Sequence, residues 1–153
     1  CYWEVTREDN IIWGFPDKYE LNVLNPEGKL LKKIVKDHTL IKITQEEKDN
    51  TIKETWGGYE NIPSEIKLSW DKYHNAFMFL ILDEEERIFV RTYEKALDGM
   101  TYYYDVFDSE GKYIAKIPLK ARPQVWKKNK LYTIEEDEEG FQVVKRYKVT
   151  WKY

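Results

Sequence analysis

The chain has 153 residues, 42% of them hydrophobic and 16% aromatic, enough apolar material for one ordinary domain with a real core, and this composition excludes a disordered chain. Charged residues make up 35%, mixed in sign along the sequence, and a formal net charge of −3 supplies no overall attraction for nucleic acid or an anionic membrane. The longest apolar run, Ala76 to Leu82, has the length of a buried strand and falls far short of the roughly 20 residues of a membrane helix, so no membrane insertion is expected.

The single cysteine, Cys1, leaves no intramolecular disulfide. A first-position cysteine would suit a lipid anchor, but anchored domains usually hang on a polar tether, whereas Tyr2-Trp3-Glu4-Val5 reads at once as strand. We therefore take Cys1 as a chain boundary. Tyr2 to Thr6 and Ile11 to Phe15 flank the turn Arg7-Glu8-Asp9-Asn10, in which Asn10 is expected to be left-handed. Tyr19 to Leu24 and Lys29 to Val35 complete four alternating, antiparallel strands in a first unit, residues 1–36.

Residues 37–73 read differently. Thr44 with Glu47 three positions later forms a capping box, and the helix it opens is expected to end at Trp56, before Gly57-Gly58. Ile52 and Trp56 share a face, but the rest is polar, so the helix is placed on the surface. A second helical turn is expected from Pro63.

The four-strand pattern begins again in residues 74–119. Phe77 to Leu82 and Ile88 to Tyr93 flank the turn Asp83 to Glu86, and a loop from Glu94 to Met100 leads to a hairpin ending at Ile117. Glu86 occupies the place that glycine or asparagine fills in the sister turns, so with shared geometry it should carry backbone strain. Residues 120–153 supply three further strands, Gln124 to Trp126, Lys130 to Glu135 and Phe141 to Trp151, one strand short of the pattern.

Two of these hairpins are nearly the same text. YELNVLNPEGKLLKKI from Tyr19 and YYYDVFDSEGKYIAKI from Tyr102 lie 83 positions apart, matching Tyr19 with Tyr102, Val23 with Val106, Gly28 with Gly111, Lys33 with Lys116 and Ile34 with Ile117. Both turns suit a type I turn closed by a left-handed glycine.

With Ile11-Ile12-Trp13-Gly14-Phe15, Ile88-Phe89-Val90-Arg91-Thr92 and Lys130-Leu131-Tyr132-Thr133-Ile134-Glu135, these phrases resemble the blades of the six-bladed, NHL-like β-propeller family of secreted or lipid-anchored bacterial proteins. The resemblance covers nearly the whole chain. It implies an all-β fold of about three propeller blades, half of a six-bladed ring, with a helical insertion, in an extracytoplasmic protein. It brings no catalytic signature and no cofactor.

Chemistry is sparse. His38 and His74 stand at no metal-ligand spacing from each other or from Cys1, the serines lack a nucleophile elbow, and no phosphate-cradling glycine loop occurs, so no cofactor or metal is expected. The turn acids Asp83, Glu84 and Asp137 read as solvated rather than as a catalytic pair. Tyr19, Tyr102, Phe107, Tyr132 and Trp151 recur at strand positions and should, with most of the aromatics, fill the core between blades.

The aromatics off the repeat, Trp56, Tyr59, Trp70 and Tyr73, are the better binding candidates, together with His74, Arg91 and Arg122 near the expected channel. The function expected is non-enzymatic binding or scaffolding of a protein or carbohydrate ligand, with self-association or pairing with a missing half-propeller to cover open faces. The alternatives are part of a propeller enzyme, or a subunit of an extended assembly.

Overall fold

The structure, a computed structural model, describes residues 1–151. It is mostly β, with eleven strands in three antiparallel sheets and one helix among the described residues. The first sheet holds β1 (Tyr2–Val5), β2 (Ile11–Gly14), β3 (Glu20–Leu24) and β4 (Leu30–Val35). The second holds β5 (Phe79–Leu82), β6 (Ile88–Lys95), β7 (Tyr102–Phe107) and β8 (Tyr113–Leu119). The third holds β9 (Pro123–Trp126), β10 (Lys130–Glu136) and β11 (Gln142–Lys148). In every sheet spatial order follows chain order, so each strand pairs with its sequence neighbour.

Turn chemistry sets where the strands stop. Asn25, Asp83, Asp108 and Asp137 each donate a backbone N–H to the carbonyl four residues on, at 2.9 to 3.2 Å. The same side chains accept the N–H of that residue through Oδ1, at 2.8 to 2.9 Å, so one side chain closes each hairpin twice. The fourth residue of each turn is left-handed: Gly28, Glu86, Gly111 and Gly140, with φ of 79°, 59°, 84° and 86°. Glu86 therefore bears the backbone strain expected of it, having a Cβ where its sisters have none.

The first turn corrects the sequence reading. Thr6 N donates to Asn10 O at 2.9 Å and Thr6 Oγ1 accepts from Asn10 N at 3.2 Å, the same frame opened by a hydroxyl one residue earlier. The left-handed residue is therefore Asp9, with φ of 60°, and not Asn10.

Contacts divide the chain into two compact units, one formed by Cys1–His38 with the residues from Asn75 onward, the other by Thr39–His74. In the first unit, Ile12, Tyr19, Leu21, Val23 and Ile34 of the first sheet and its flank pack with Phe77, Leu80, Ile88, Val90 and Phe107 on one side of the second. The opposite side of the second sheet buries Phe79, Phe89, Tyr104 and Val106, and Trp126 stacks on Phe89 with ring centroids 4.6 Å apart. The two contacts use equivalent faces. Leu21, Val23 and Ile34 correspond through the repeat to Tyr104, Val106 and Ile117, so each sheet presents the same face to the next.

Turns tie the sheets as well. Arg7 N donates to Glu86 Oε1 at 2.6 Å, Arg7 Nη2 to Glu84 O, Lys128 N to Glu84 Oε2, and Lys32 Nζ to Ser109 O at 3.3 Å.

The aromatic core is smaller than the sequence suggests. Tyr19, Phe77, Phe79, Phe89, Tyr104 and Phe107 are buried, whereas Trp3, Phe15, Phe141 and Tyr147 stand exposed and Tyr102, Tyr132 and Trp151 are half-buried. The difference lies in the end faces. In the first sheet, Trp3, Val5, Ile11 and Val35 alternate away from the second sheet, and in the third sheet Val125, Ile134 and Val144 alternate away from it too.

In the second unit, α1 (Gln45–Trp56) begins at the capping box of Thr44 and Glu47 and ends at Gly57, left-handed as expected. Ile52 is its one buried residue, and apart from half-buried Trp56 the rest of the helix is polar. The additional helical turn is a single 3₁₀ turn at Tyr59–Asn61, before Pro63, where only one turn bond, Ile66 N to Pro63 O at 3.0 Å, forms. No described helix is long and apolar enough to cross a membrane.

Candidate functional site

A cavity of about 540 Å³ lies between β8 and the third sheet, within the range of small-molecule sites. Alternation builds its walls. Ile117 and Leu119 come from β8, Trp126 from β9, Leu131 and Thr133 from the inward side of β10, and Val149 and Trp151 from the segment after β11. Lys120 and Lys148 stand in the lining, which contains no carboxylate or imidazole among the described residues. Trp126 Nε1 is buried without a hydrogen-bond partner, a donor that a ligand acceptor could satisfy.

One side of the cavity is fixed by Glu135. Thr133 Oγ1 and Tyr147 OH donate to its Oε1 at 2.6 and 2.7 Å, and Lys145 Nζ lies 3.0 Å from Oε2. These bonds, Thr133 foremost, lower its carboxyl pKa to about 2, and the Tyr147 phenol is raised in return by the same carboxylate. The hydroxyl protons of Thr133 and Tyr147, both lining residues, are thus committed to Glu135.

Arg91 and Arg122 belong to the same unit. Arg91 follows Phe89 by two residues on the same face of β6, and its guanidinium carbon lies 3.9 Å from the Tyr102 ring centroid and 5.6 Å from that of Phe79. Arg122, just before β9, lies 4.3 Å over Phe79. The structure therefore brings these two together. Both guanidinium groups pull down the phenol of Tyr104, whose burial nevertheless raises it to about 12.

The residues singled out in the second unit are scattered by local duties. Tyr59 OH donates to Asp49 Oδ1 at 2.6 Å, with the result that the phenol is raised and the carboxyl lowered. His74 Nε2 lies 3.2 Å from both Glu47 oxygens, and its backbone N–H reaches Ile41 O at 2.8 Å. Partial burial pulls the Glu47 carboxyl upward, but the Thr44 N–H and hydroxyl and His74 together hold it below the usual range. Tyr73 pairs with Lys42 in an isolated bridge, Trp70 is exposed with Lys48 Nζ 6.0 Å from its ring, and Trp56 is half-buried.

Sequence reasoning missed Asp105. This β7 residue is 1% exposed, accepts from Tyr19 OH at 2.8 Å and pairs with Lys36 Nζ at 3.2 Å, while its Oδ1 is buried without a partner. Burial, then the Asp105 charge, drives the Tyr19 phenol far above its ordinary value, so this phenol does not ionise or act as an acid in water. The group is a tie between the first and second sheets. Its signal was a polar residue in the apolar run YYYDVF, matched by buried Asn22 in YELNVL. No group of three or more metal-ligating side chains occurs among the described residues. Neither the protein-family models nor the curated proteins contain a match to this sequence.

Proposed function

We propose that this chain is a non-enzymatic binding and scaffolding module outside the cytoplasm, built from blades of a six-bladed, NHL-like β-propeller, and that an apolar ligand occupies the cavity between its second and third sheets. The observation that carries the binding reading is the lining of that cavity: large apolar side chains, an unpaired indole N–H and two ammonium groups. Such a surface holds a molecule by burying it, at about 25 cal/mol per Å² of apolar area, and offers no paired acid and base to transform it. The blade reading is supported by sheets whose strands run in chain order, by the 83-residue repeat and by equivalent faces meeting in succession. Its compartment rests on the family resemblance.

Trp126 and Trp151 line the cavity and make it self-reporting. Titration with the neutral apolar dye Nile red should give saturable binding with quenching of tryptophan emission. Ala121, at the cavity edge, offers a substitution that fills the space: Ala121→Trp should weaken the dye at least about tenfold, or about 1.4 kcal/mol. Unchanged affinity in that variant, with the fold intact by circular dichroism, would place the ligand elsewhere.

A further inference from the structure

Three cations gather around two rings at one end of the second sheet. Arg91 stacks on Tyr102, Lys95 Nζ lies 5.3 Å from the same ring, and Arg122 shares Phe79 with Arg91. Among the described residues no carboxylate lies within ion-pair distance of any of them, although the chain has 28 acidic residues to 25 basic ones. Arg91 Nε is buried and has no hydrogen-bond acceptor.

Each of these observations has a cost attached. Like charges this close repel unless a counter-charge intervenes, and a buried guanidinium N–H without an acceptor loses the hydration it had in water and gains nothing in return. The rings fix the cations from one side by cation–π attraction and satisfy none of their N–H groups. What remains is one unpartnered guanidinium N–H and three positive charges without a carboxylate, the chemistry that recognises an oxyanion. We propose that Arg91, Lys95 and Arg122 bind a doubly charged oxyanion, carried by a phosphate monoester or by a dicarboxylate. Arg91 supplies the inner contact through Nε, and the exposed Arg122 and Lys95 close over it.

The test uses glycerol 1-phosphate and succinate as separate probes in calorimetry, with the Arg91 Nε–H signal followed by nitrogen–proton NMR. At least one should bind with a dissociation constant below about 1 mM, weaken as salt is raised and shift the Arg91 signal. Binding of the phosphate alone identifies a phosphate ester as the ligand, and binding of succinate alone a dicarboxylate. Arg122→Met and Lys95→Met keep the packing over the rings, and each should weaken the probe at least about tenfold. Both residues are exposed, so these variants carry the test even where Arg91→Met impairs folding. Failure of both probes to bind, or binding that survives both Met variants unchanged, overturns the proposal. Nile red binding in the cavity is measured independently and does not bear on this result.

Discussion

The two repeated hairpins give the sharpest test at the level of single residues, because they share a turn but not its surroundings. A Cβ on Gly28 would meet nothing within 4 Å, whereas one on Gly111 would sit 2.6 Å from Ile34 Cγ1. Both glycines are left-handed, so Gly28→Ala carries only the backbone cost and should destabilise by about 1–2 kcal/mol. Gly111→Ala adds overpacking against the neighbouring sheet and should cost about 1–3 kcal/mol more. Ser109→Ala, which removes a hydroxyl from an exposed turn, should stay within about 0.5 kcal/mol. Equal melting temperatures for the two glycine variants would contradict the contact between the hairpins. Left-handed glycines were legible in the sequence because glycine and the Asx side chain act within five residues. Asp9 escaped because Thr6, not an Asx residue, opens that turn.

At the level of elements, the β10–β11 pair depends on charge as well as pairing. Glu135 and Lys145 project from its inward side, and the Glu135 carboxyl, ordinarily at 4.5, lies at about 2 in the fold. A carboxyl lowered by folding stabilises the native state at pH above the unfolded value and loses that contribution as pH falls through the folded one. The stability of the wild-type chain should therefore decline between about pH 4.5 and 2 in part through this group. Glu135→Gln should be less stable at pH 7 and flatter across that acid window, as measured by urea midpoints at each pH. A parallel decline in both proteins would show that Glu135 is not linked to unfolding. The strands themselves could be read from alternation and turn residues. The neighbours of Glu135 could not, nor could the pairing of Asp105 with Tyr19 across 86 positions, because long-range contacts leave no periodic trace. Arg91 and Arg122 were placed together near an expected channel by the resemblance, but their shared stacking on Phe79 has no trace in the sequence.

Across the whole molecule, two sheet faces remain open at opposite ends of the three-sheet unit. Trp3 is 64% and Val35 69% exposed on the first sheet, and Val144 is 71% exposed on the third. Inside the chain the covered faces each meet another sheet, the first packing on the second and the second on the third. We propose a second copy of this chain as the occupant, with the first sheet of one copy against the third of the other. Light scattering after size exclusion should give a dimer or larger species at micromolar concentration, shifted toward monomer by Val35→Lys with Val144→Lys. A cooperative, well-folded monomer of the unmutated chain would refute this assembly and leave the faces to a different partner.

The agreement between chain order and strand order, finally, bears on how the fold is reached. Every ladder joins sequence neighbours, so the loops that must close before pairing begins are short and their entropic cost is small. A sheet can therefore assemble as soon as its own strands exist, without waiting for a distant segment. Yet Leu21, Val23 and Ile34 are buried in a cluster shared with the sheet that follows. Pairing is local while stabilisation is handed on from one unit to the next, which gives the molecule the energetics of a short one-dimensional array rather than of a single condensed core.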